Sequence, residues 1–302
     1  MQLEYCHIQG GNFGDDLNLS LWARLFPDIR VVHPEIRFYG IGTILGGRQP
    51  PGPKVILGSG IGYRGDALPD PWRKVYWVRG PRTAERLGID PALGIGDGAL
   101  LWPALRVPRS PMPGRVGLVP HFHSIRRFDW AGLAARAGLH LVDPRLPPEE
   151  VATQLRSCER VLCESLHGAI CADVMGIPWR AIVLARRFND FKWRDWLDGL
   201  GLELAPAEMP VELLDRLSPA KAIGNALNRL VDRGGPRARQ RMRPLRAAGE
   251  RKRQVAAGEL ARLSAQVDAF QLGDRGRVAR QREAMLEQCA AFARDHGTGF
   301  TP

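Results

Sequence analysis

Apolar and polar positions follow two alternating periods along most of the chain. Short apolar runs end at glycine, proline or an acidic residue, and most are followed by a stretch whose apolar residues recur every three or four positions. The runs are LEYCHI, KVILGSG, KVYWVRG, RVGLVPH, LHLVD, RVLCES and WRAIVL. Because strands that alternate with helices form parallel sheets covered on both faces, this pattern predicts an α/β fold.

A proline-rich segment divides the α/β region. Residues 103–114, PALRVPRSPMPG, contain four prolines and are typical of a linker. The division predicts a first domain over residues 1–105 and a second over 113–217. Beyond about residue 218 the glycine-punctuated strands stop, and alanine, arginine, leucine and glutamate predict a basic helical tail over 218–302.

Length and cysteine content restrict the class of protein. With 302 residues, the chain can bury a full core in one or two domains. Its five cysteines are odd in number and form no C-x-x-C pair, which argues against a disulfide framework and a zinc site. The N-terminus lacks a secretory pattern, and no run of about 18 apolar residues occurs. We therefore expect a cytoplasmic protein, attached at most peripherally to the inner face of the plasma membrane.

The positive charge is concentrated in the tail. The formal net charge is +11, and residues 233–302 carry +8 of it through 15 basic and 7 acidic residues. A basic tail favours an anionic membrane surface as partner, whereas a basic catalytic body would have favoured nucleic acid. A tail helix that packs back on the body with a solvated basic face is the alternative.

Glycine-rich turns after the strands supply the first candidate binding residues. GGNFGDDLN lies between the first strand and the first helix, where backbone amides favour an anion. Its candidates are Gly11, Asn12, Gly14 and Asp15. An ordinary turn with Asp15 or Asp16 as the helix cap explains the same residues, and both interpretations stay open. GSGIGYRG adds Ser59 and Gly60 but does not match a dinucleotide-binding turn.

Cationic residues also occur at strand ends. Arg79 ends a strand in VRGPRTAERLG, and Arg82 lies in the first turn of the next helix, where a cation opposes the helix dipole. The pair favours an anion clamp over two solvated arginines. His121 begins HFH, a spacing that can bind metal, but no acidic or cysteine ligand lies near it in sequence, so no metal is predicted. Lys192 is either a phosphate contact or a surface lysine.

His167 is the main candidate for acid–base chemistry. It follows the strand RVLCE and opens a buried helix with Ser165 and Leu166. A histidine in such a run is usually structural, but this one lies where parallel sheets bind ligands, at the carboxyl end of a strand. Its position therefore favours a functional role.

Six motifs follow one another in a specific order and spacing. They are GGNFGDDLN with LWARL, YGIGTILGG, GSGIGYRG, WVRGPRTAERLG, IGDGALL and ESLHGAICADVMGIPW. Together they resemble the polysaccharide pyruvyltransferase family, and within it the ketal-forming enzymes of bacterial exopolysaccharide synthesis of the succinoglycan type. The resemblance spans residues 1 to about 205.

The resemblance implies two Rossmann-like domains that face each other across a cleft, as in GT-B-like enzymes. It implies phosphoenolpyruvate as donor substrate, no cofactor or metal, and a pyruvate ketal on a sugar hydroxyl pair as product. By motif, His167 corresponds to the family's essential histidine, which we take as general acid or base, and Arg79 to an arginine that we take as the donor clamp. Ser165 stands where some relatives have an arginine, so part of that charge must come from elsewhere, and Arg82, His121 and Lys192 are the candidates.

The expected acceptor is a saccharide, carried as a lipid-linked oligosaccharide, and no nucleic-acid partner is expected. A nucleotide-sugar glycosyltransferase of GT-B-like fold is the alternative enzyme, although no acidic residue for a ribose is evident. A non-catalytic scaffold whose tail recruits partners is the alternative from another class. The arginine, histidine and glycine residues at the predicted strand ends argue against a scaffold.

Overall fold

Two parallel β-sheets and their helices build the chain. The structure is a computed structural model and describes residues 1–46, 50–62, 74–125, 128–184, 188–210 and 249–302. Within these ranges every named strand pairs in parallel, which confirms the predicted α/β class.

The first sheet contains four strands in sequence order. They are β1 (Gln2–Glu4), β2 (Arg37–Tyr39), β3 (Lys54–Leu57) and β4 (Lys74–Trp77). The helices that belong to this unit are α1 (Phe13–Leu25) and α2 (Pro81–Leu87). α2 begins where Pro81 supplies a helical φ and ends at Gly88, whose φ of +65° forms a left-handed cap.

The second sheet contains five strands in the order β6-β5-β7-β8-β9. They are β5 (Val116–Val119), β6 (His140–Leu141), β7 (Arg160–Cys163), β8 (Trp179–Val183) and β9 (Ala207–Glu208). The helices between them are α3 (Phe122–Ile125), α4 (Trp130–Arg136), α5 (Pro148–Arg156), α6 (Leu166–Val174) and α7 (Asp190–Leu200). β5 has β6 on one side and β7 on the other, so the strand order switches between β5 and β7.

The two sheets share one apolar core. A single cluster of buried residues runs from Trp22 and Trp77 beside the first sheet to Ile170 and Trp193 beside the second. Burial of this size is the main stabilising term, and it joins the two units. The boundaries at residues 105 and 113 remain predictions.

The described part of the tail packs on the body. It forms α8 (Glu250–Ala265), which packs on α4, and α9 (Arg275–His296), which packs on β4. Leu260 of α8 and Phe292 of α9 are each 0% exposed. Between them, Asp173 of α6 accepts the Arg275 guanidinium at 2.6 Å and fixes the connection. Residues 211–248 of the predicted tail lie outside the described ranges, and no described helix is long and apolar enough to cross a membrane.

Candidate active site

The switch between β5 and β7 is where several candidate residues meet. Connections leaving these strands diverge, and parallel sheets bind ligands in the crevice that such a divergence opens. His121 follows β5, and Glu164 and His167 follow β7. Residues of the first unit reach the same place, because Asp15 and Asp97 both interact with His167. The cluster is therefore built from both units.

His167 is held between elements of the two units. α6 begins at this point because the hydroxyl of Ser165 accepts the Gly168 N–H at 3.3 Å and caps the helix. The imidazole Nε2 lies 3.7 Å from Asp97 Oδ2. The Nδ1 edge packs on Gly14 of α1, where an ideal Cβ would lie only 2.0 Å from that nitrogen. The side chain is 15% exposed, so the ring is fixed in place yet still reachable.

Asp15 is a buried carboxylate beside this imidazole. It lies in the first turn of α1, is 7% exposed, and accepts a hydrogen bond from the Asn12 side chain. Burial raises the pKa of Asp15 to about 6, although the charges of His167 and Lys192 act in the opposite direction. A carboxyl group with this pKa exchanges a proton near neutral pH.

Lys192 brings an ammonium group to the cluster from α7. That helix is capped by Asn189, whose side-chain oxygen accepts the Lys192 N–H at 3.3 Å. Burial and the charge of Arg79 lower the pKa of Lys192 to about 8, while Asp15 and Glu164 raise it. The described residues thus provide charge partners but no hydrogen bond for the ammonium group, which suits it to an incoming anion.

His121 and Glu164 form the wall of the site on the side of the second sheet. The Glu164 carboxylate accepts the His121 N–H at 2.8 Å and the Ser124 hydroxyl at 3.0 Å, and burial raises its pKa. Burial and the charge of Lys192 lower the pKa of His121 to about 2, so its ring is neutral. Of the residues expected to replace the missing arginine charge, His121 therefore supplies none.

Arg79 is close to the cluster but is used by internal contacts. It is 1% exposed and donates to Asp195 Oδ2 at 3.0 Å, to Thr43 Oγ1 at 2.9 Å and to the Ile61 carbonyl at 2.6 Å. Asp195 also accepts the Thr83 N–H at 2.8 Å. This network ties α7 to the strand end of β4, and the charge of Arg79 still acts on Lys192 and Asp97.

The predicted anion partner of Arg82 is a carboxylate of the protein itself. Arg82 Nε donates to Asp198 Oδ2 at 2.6 Å on the surface, where both side chains are more than a third exposed. The structure therefore does not bring Arg82 to the cluster. Leu166 is also turned away from it and is buried in the apolar core.

Three of the candidate glycine-loop residues serve close packing. An ideal Cβ at Gly11 would lie 2.1 Å from the Arg145 carbonyl oxygen, and its φ is +85°, so a side chain is excluded there. An ideal Cβ at Gly60 would lie 2.4 Å from the centre of the Arg79 guanidinium. The hydroxyl of Ser59 donates to the Gly40 carbonyl. These residues shape the site, and the last three residues of GSGIGYRG lie outside the described ranges.

Asp97, Glu164 and Asp195 are the polar residues that motif analysis missed. Asp97 and Glu164 do stand inside two of the motifs, IGDGALL and ESLHGAICADVMGIPW, next to glycine or serine. An acidic residue next to glycine or serine is typical of a turn cap. Asp97 is in fact a cap, because it accepts the Ala99 N–H at 3.0 Å. Asp195 lies within an amphipathic helix, and nothing in its pattern separates it from a solvated acid.

The cluster is equipped for proton transfer next to an anion. It contains the imidazole of His167 and the carboxyl group of Asp15, whose pKa is about 6. It also contains the ammonium group of Lys192, which lacks a hydrogen-bond partner among the described residues. Within the described ranges, no group of three or more histidine, cysteine or acidic side chains is arranged to hold a metal ion. General acid–base chemistry on a small anionic substrate fits these side chains.

Comparison with known proteins gives two matches. A family model described as polysaccharide pyruvyl transferase matches residues 55–185, which contain Arg79, Asp97 and His167. The succinoglycan biosynthesis protein ExoV of Rhizobium meliloti (strain 1021) is 39% identical over 225 residues, which cover 70% of this chain and 68% of that protein. The family-model match includes β7 and α6, which carry Glu164 and His167, and ends before α7.

Proposed function

Because the chain belongs to the polysaccharide pyruvyl transferase family, we propose phosphoenolpyruvate as its donor and a hydroxyl pair of an exopolysaccharide sugar as its acceptor. The chain is thus a pyruvyltransferase of exopolysaccharide biosynthesis, and the family match decides against the glycosyltransferase and scaffold alternatives. What supports this donor most strongly is the assembly of His167, Asp15 and Lys192 at the strand switch. These are the groups that an enol phosphate requires.

The proton balance of ketal formation calls for two titrating groups. C2 of the enol phosphate gains two sugar oxygens and loses phosphate, while C3 gains a proton and becomes a methyl group. The two hydroxyl groups release two protons, of which one replaces the proton given to C3 and the other leaves with phosphate. A single imidazole cannot hold the proton for C3 and accept a hydroxyl proton at the same moment.

His167 and Asp15 can share these two tasks. In the proposed reaction, protonated His167 gives its proton to C3, while the Asp15 carboxylate accepts the proton of the attacking hydroxyl. A pKa of about 6 leaves Asp15 mostly ionised at neutral pH and still able to pass the proton on. General acid–base catalysis of this kind contributes about 10²–10⁴-fold in rate.

Lys192 is the proposed contact for the donor phosphate. Its ammonium group has no hydrogen bond to a described residue, and an anion beside it restores the charged form that burial disfavours. Arg79 adds positive charge without contacting the donor, and its hydrogen bond to Asp195 holds α7 in place. This assigns to Lys192 the direct contact that the motif alone would give to Arg79.

We also propose that the donor enters a cleft between the two units, as in GT-B-like enzymes. The support is that His167 and Lys192 follow strands of the second sheet, whereas Asp15 and Gly14 belong to α1 of the first unit. Ligand binding between domains is common for sites assembled in this way.

A lipid-linked acceptor would require the enzyme to work near a membrane. Six arginines between residues 233 and 246 carry most of the tail's charge, and each basic residue near an anionic surface contributes about 1 kcal/mol. Deletion of residues 233–302 is a poor test, because it removes the buried Phe292. Sedimentation with anionic vesicles should instead compare the full chain with a variant whose six arginines are glutamine. Equal binding by the two proteins would refute attachment through this segment.

The test of the proposed function is phosphate release from phosphoenolpyruvate with and without galactosides, glucosides and mannosides. We expect release that depends on one acceptor class and falls at least about 10²-fold in His167→Gln. The matched control is His7→Gln, a change at an exposed histidine, which should keep wild-type turnover. Turnover retained in a folded His167→Gln protein would refute the role of the imidazole.

A further inference from the structure

Asp97 is a fully buried carboxylate, and one of its two oxygens accepts no hydrogen bond from a described residue. The residue lies between Gly96 and Gly98 in the turn that follows α2, and it is 0% exposed. Its Oδ1 accepts the Ala99 N–H at 3.0 Å and caps the short helical turn Gly98–Leu101. Its Oδ2 has no hydrogen-bond partner among the described residues. A buried carboxylate oxygen in this state requires a cation nearby.

Among the described residues, the group within ion-pair distance of this oxygen is the imidazole of His167, which is a cation when it is protonated. The Nε2 atom of His167 lies 3.7 Å from Asp97 Oδ2. Arg79 acts on Asp97 from a greater distance, since its guanidinium is bound to Asp195. Burial alone would raise the pKa of Asp97, but His167, the Ala99 N–H and Arg79 together hold it below its ordinary value. Asp97 is therefore a permanent negative charge beside the ring.

The opposite side of the ring is fixed by backbone. Gly14 packs so closely on the Nδ1 edge that an ideal Cβ there would overlap it at 2.0 Å. The imidazole is thus confined between the start of α1 and the Asp97 carboxylate, both supplied by the first unit. His167 itself is supplied by α6 of the second unit, so the pair forms only when the two units are packed together.

We propose that Asp97 is a positioning residue for His167: its carboxylate faces Nε2 and orients the imidazole for proton transfer without touching the substrate. The inference rests on the proposed function, in which protonated His167 delivers a proton to the donor. Complete burial excludes Asp97 from contact with substrate, and this separates its role from that of Asp15.

Asp97→Asn tests this role with little change in shape. The Asn oxygen can still accept the Ala99 N–H, while the NH₂ group now faces His167 in place of the carboxylate. We expect kcat for acceptor-dependent phosphate release to fall about 10²-fold or more, with KM for phosphoenolpyruvate close to that of the wild type. The matched control is Asp173→Asn, another buried carboxylate, which binds Arg275 and lies near the C-terminal end of α6, whereas His167 lies at its start. It should lower thermal stability and leave kcat unchanged.

A spectroscopic measurement separates this inference from the proposed function. In the ¹H–¹⁵N spectrum of the imidazoles in the wild-type protein, His167 should carry its proton on Nε2, facing Asp97, and Asp97→Asn should abolish that state. If no acceptor gives phosphate release, the spectrum still shows whether Asp97 orients the His167 imidazole. A His167 that carries its proton on Nδ1 alone in the wild type would overturn the inference, as would wild-type kcat in a folded Asp97→Asn protein. The wild-type spectrum gives the answer even if that variant does not fold.

Discussion

Gly14→Ala is the substitution that most sharply tests how the imidazole is held. Gly14 is in the first turn of α1, where alanine is favoured over glycine by about 0.5–1 kcal/mol. Its ideal Cβ would lie 2.0 Å from Nδ1, 2.3 Å from Cγ and 2.6 Å from Cβ of His167. A change that helps the isolated helix must therefore displace the ring.

The displacement can be worked out from these distances. Ordinary contact begins at 3.4 Å, so the methyl group and Nδ1 must separate by about 1.4 Å, through movement of the ring or of α1. Misplacement of a catalytic group by about 1 Å can cost about 10²-fold in rate. Overpacking of this kind costs about 1–3 kcal/mol, partly offset by the better helix propensity. We therefore expect kcat to fall about 10²-fold and the free energy of unfolding to fall by no more than about 2.5 kcal/mol.

The assay is steady-state phosphate release at saturating donor and acceptor, together with chemical denaturation of each protein. The matched control is Gly258→Ala in α8, a helical glycine with no atom within 4 Å of its ideal Cβ. That variant should keep wild-type kcat and gain about 0.5–1 kcal/mol. A folded Gly14→Ala protein with wild-type kcat would show that turnover does not depend on the position of the ring.

Three further predictions concern Asp15, Lys192 and Cys6. Burial raises the Asp15 pKa from 3.8 to about 6, so Asp15→Asn should increase the free energy of unfolding at neutral pH by up to about 3 kcal/mol. That gain in the free energy of unfolding should shrink as pH falls from 6 towards 3.8, because Asp15 of the folded protein then becomes protonated. Denaturation curves that show no gain at neutral pH would contradict a cost of burying the Asp15 carboxylate. Because the Lys192 pKa is about 8, KM for phosphoenolpyruvate should rise as pH passes that value, and a Lys192→Met protein should have a high KM at every pH. A KM that is independent of pH in the wild type would argue against the phosphate contact. Of the five cysteines, Cys6 is the exposed one, so maleimide should label it first. Because Cys6 lies within electrostatic reach of Asp15, addition of donor and acceptor together should slow its labelling, as followed by mass spectrometry. Equal labelling rates with and without the substrates would place the substrates elsewhere.

Most of the fold follows from local pattern. Most of the predicted strands and the helices after them occur where glycine, proline or an acidic residue ends an apolar run, because such residues favour a turn before the next helix starts. β2 (Arg37–Tyr39) was not predicted as a strand, because Pro34, Glu35 and Arg37 interrupt the apolar run around it. The packing of α8 and α9 on the two sheets also could not be predicted, since their apolar faces do not specify a partner.

Site residues could be predicted from the sequence only where a titratable side chain follows a predicted strand. Asp15, Lys192 and His167 were found for this reason, and the structure brings them together. Arg82 was misjudged because the anion that explains it, Asp198, lies more than a hundred residues later in the chain. Asp97 was missed because its local role as a cap hides its contact with His167, which depends on how the two units pack.

In the proposed reaction, the pyruvyl group of phosphoenolpyruvate moves to a sugar while C3 gains a proton. The most direct test is to run the reaction in D₂O with an acceptor that supports phosphate release and to examine the ketal methyl group by NMR. The expected product carries one solvent deuterium in its methyl group and forms in step with phosphate. Phosphate release without a ketal, or a ketal methyl group free of deuterium, would show that the proposed reaction is wrong.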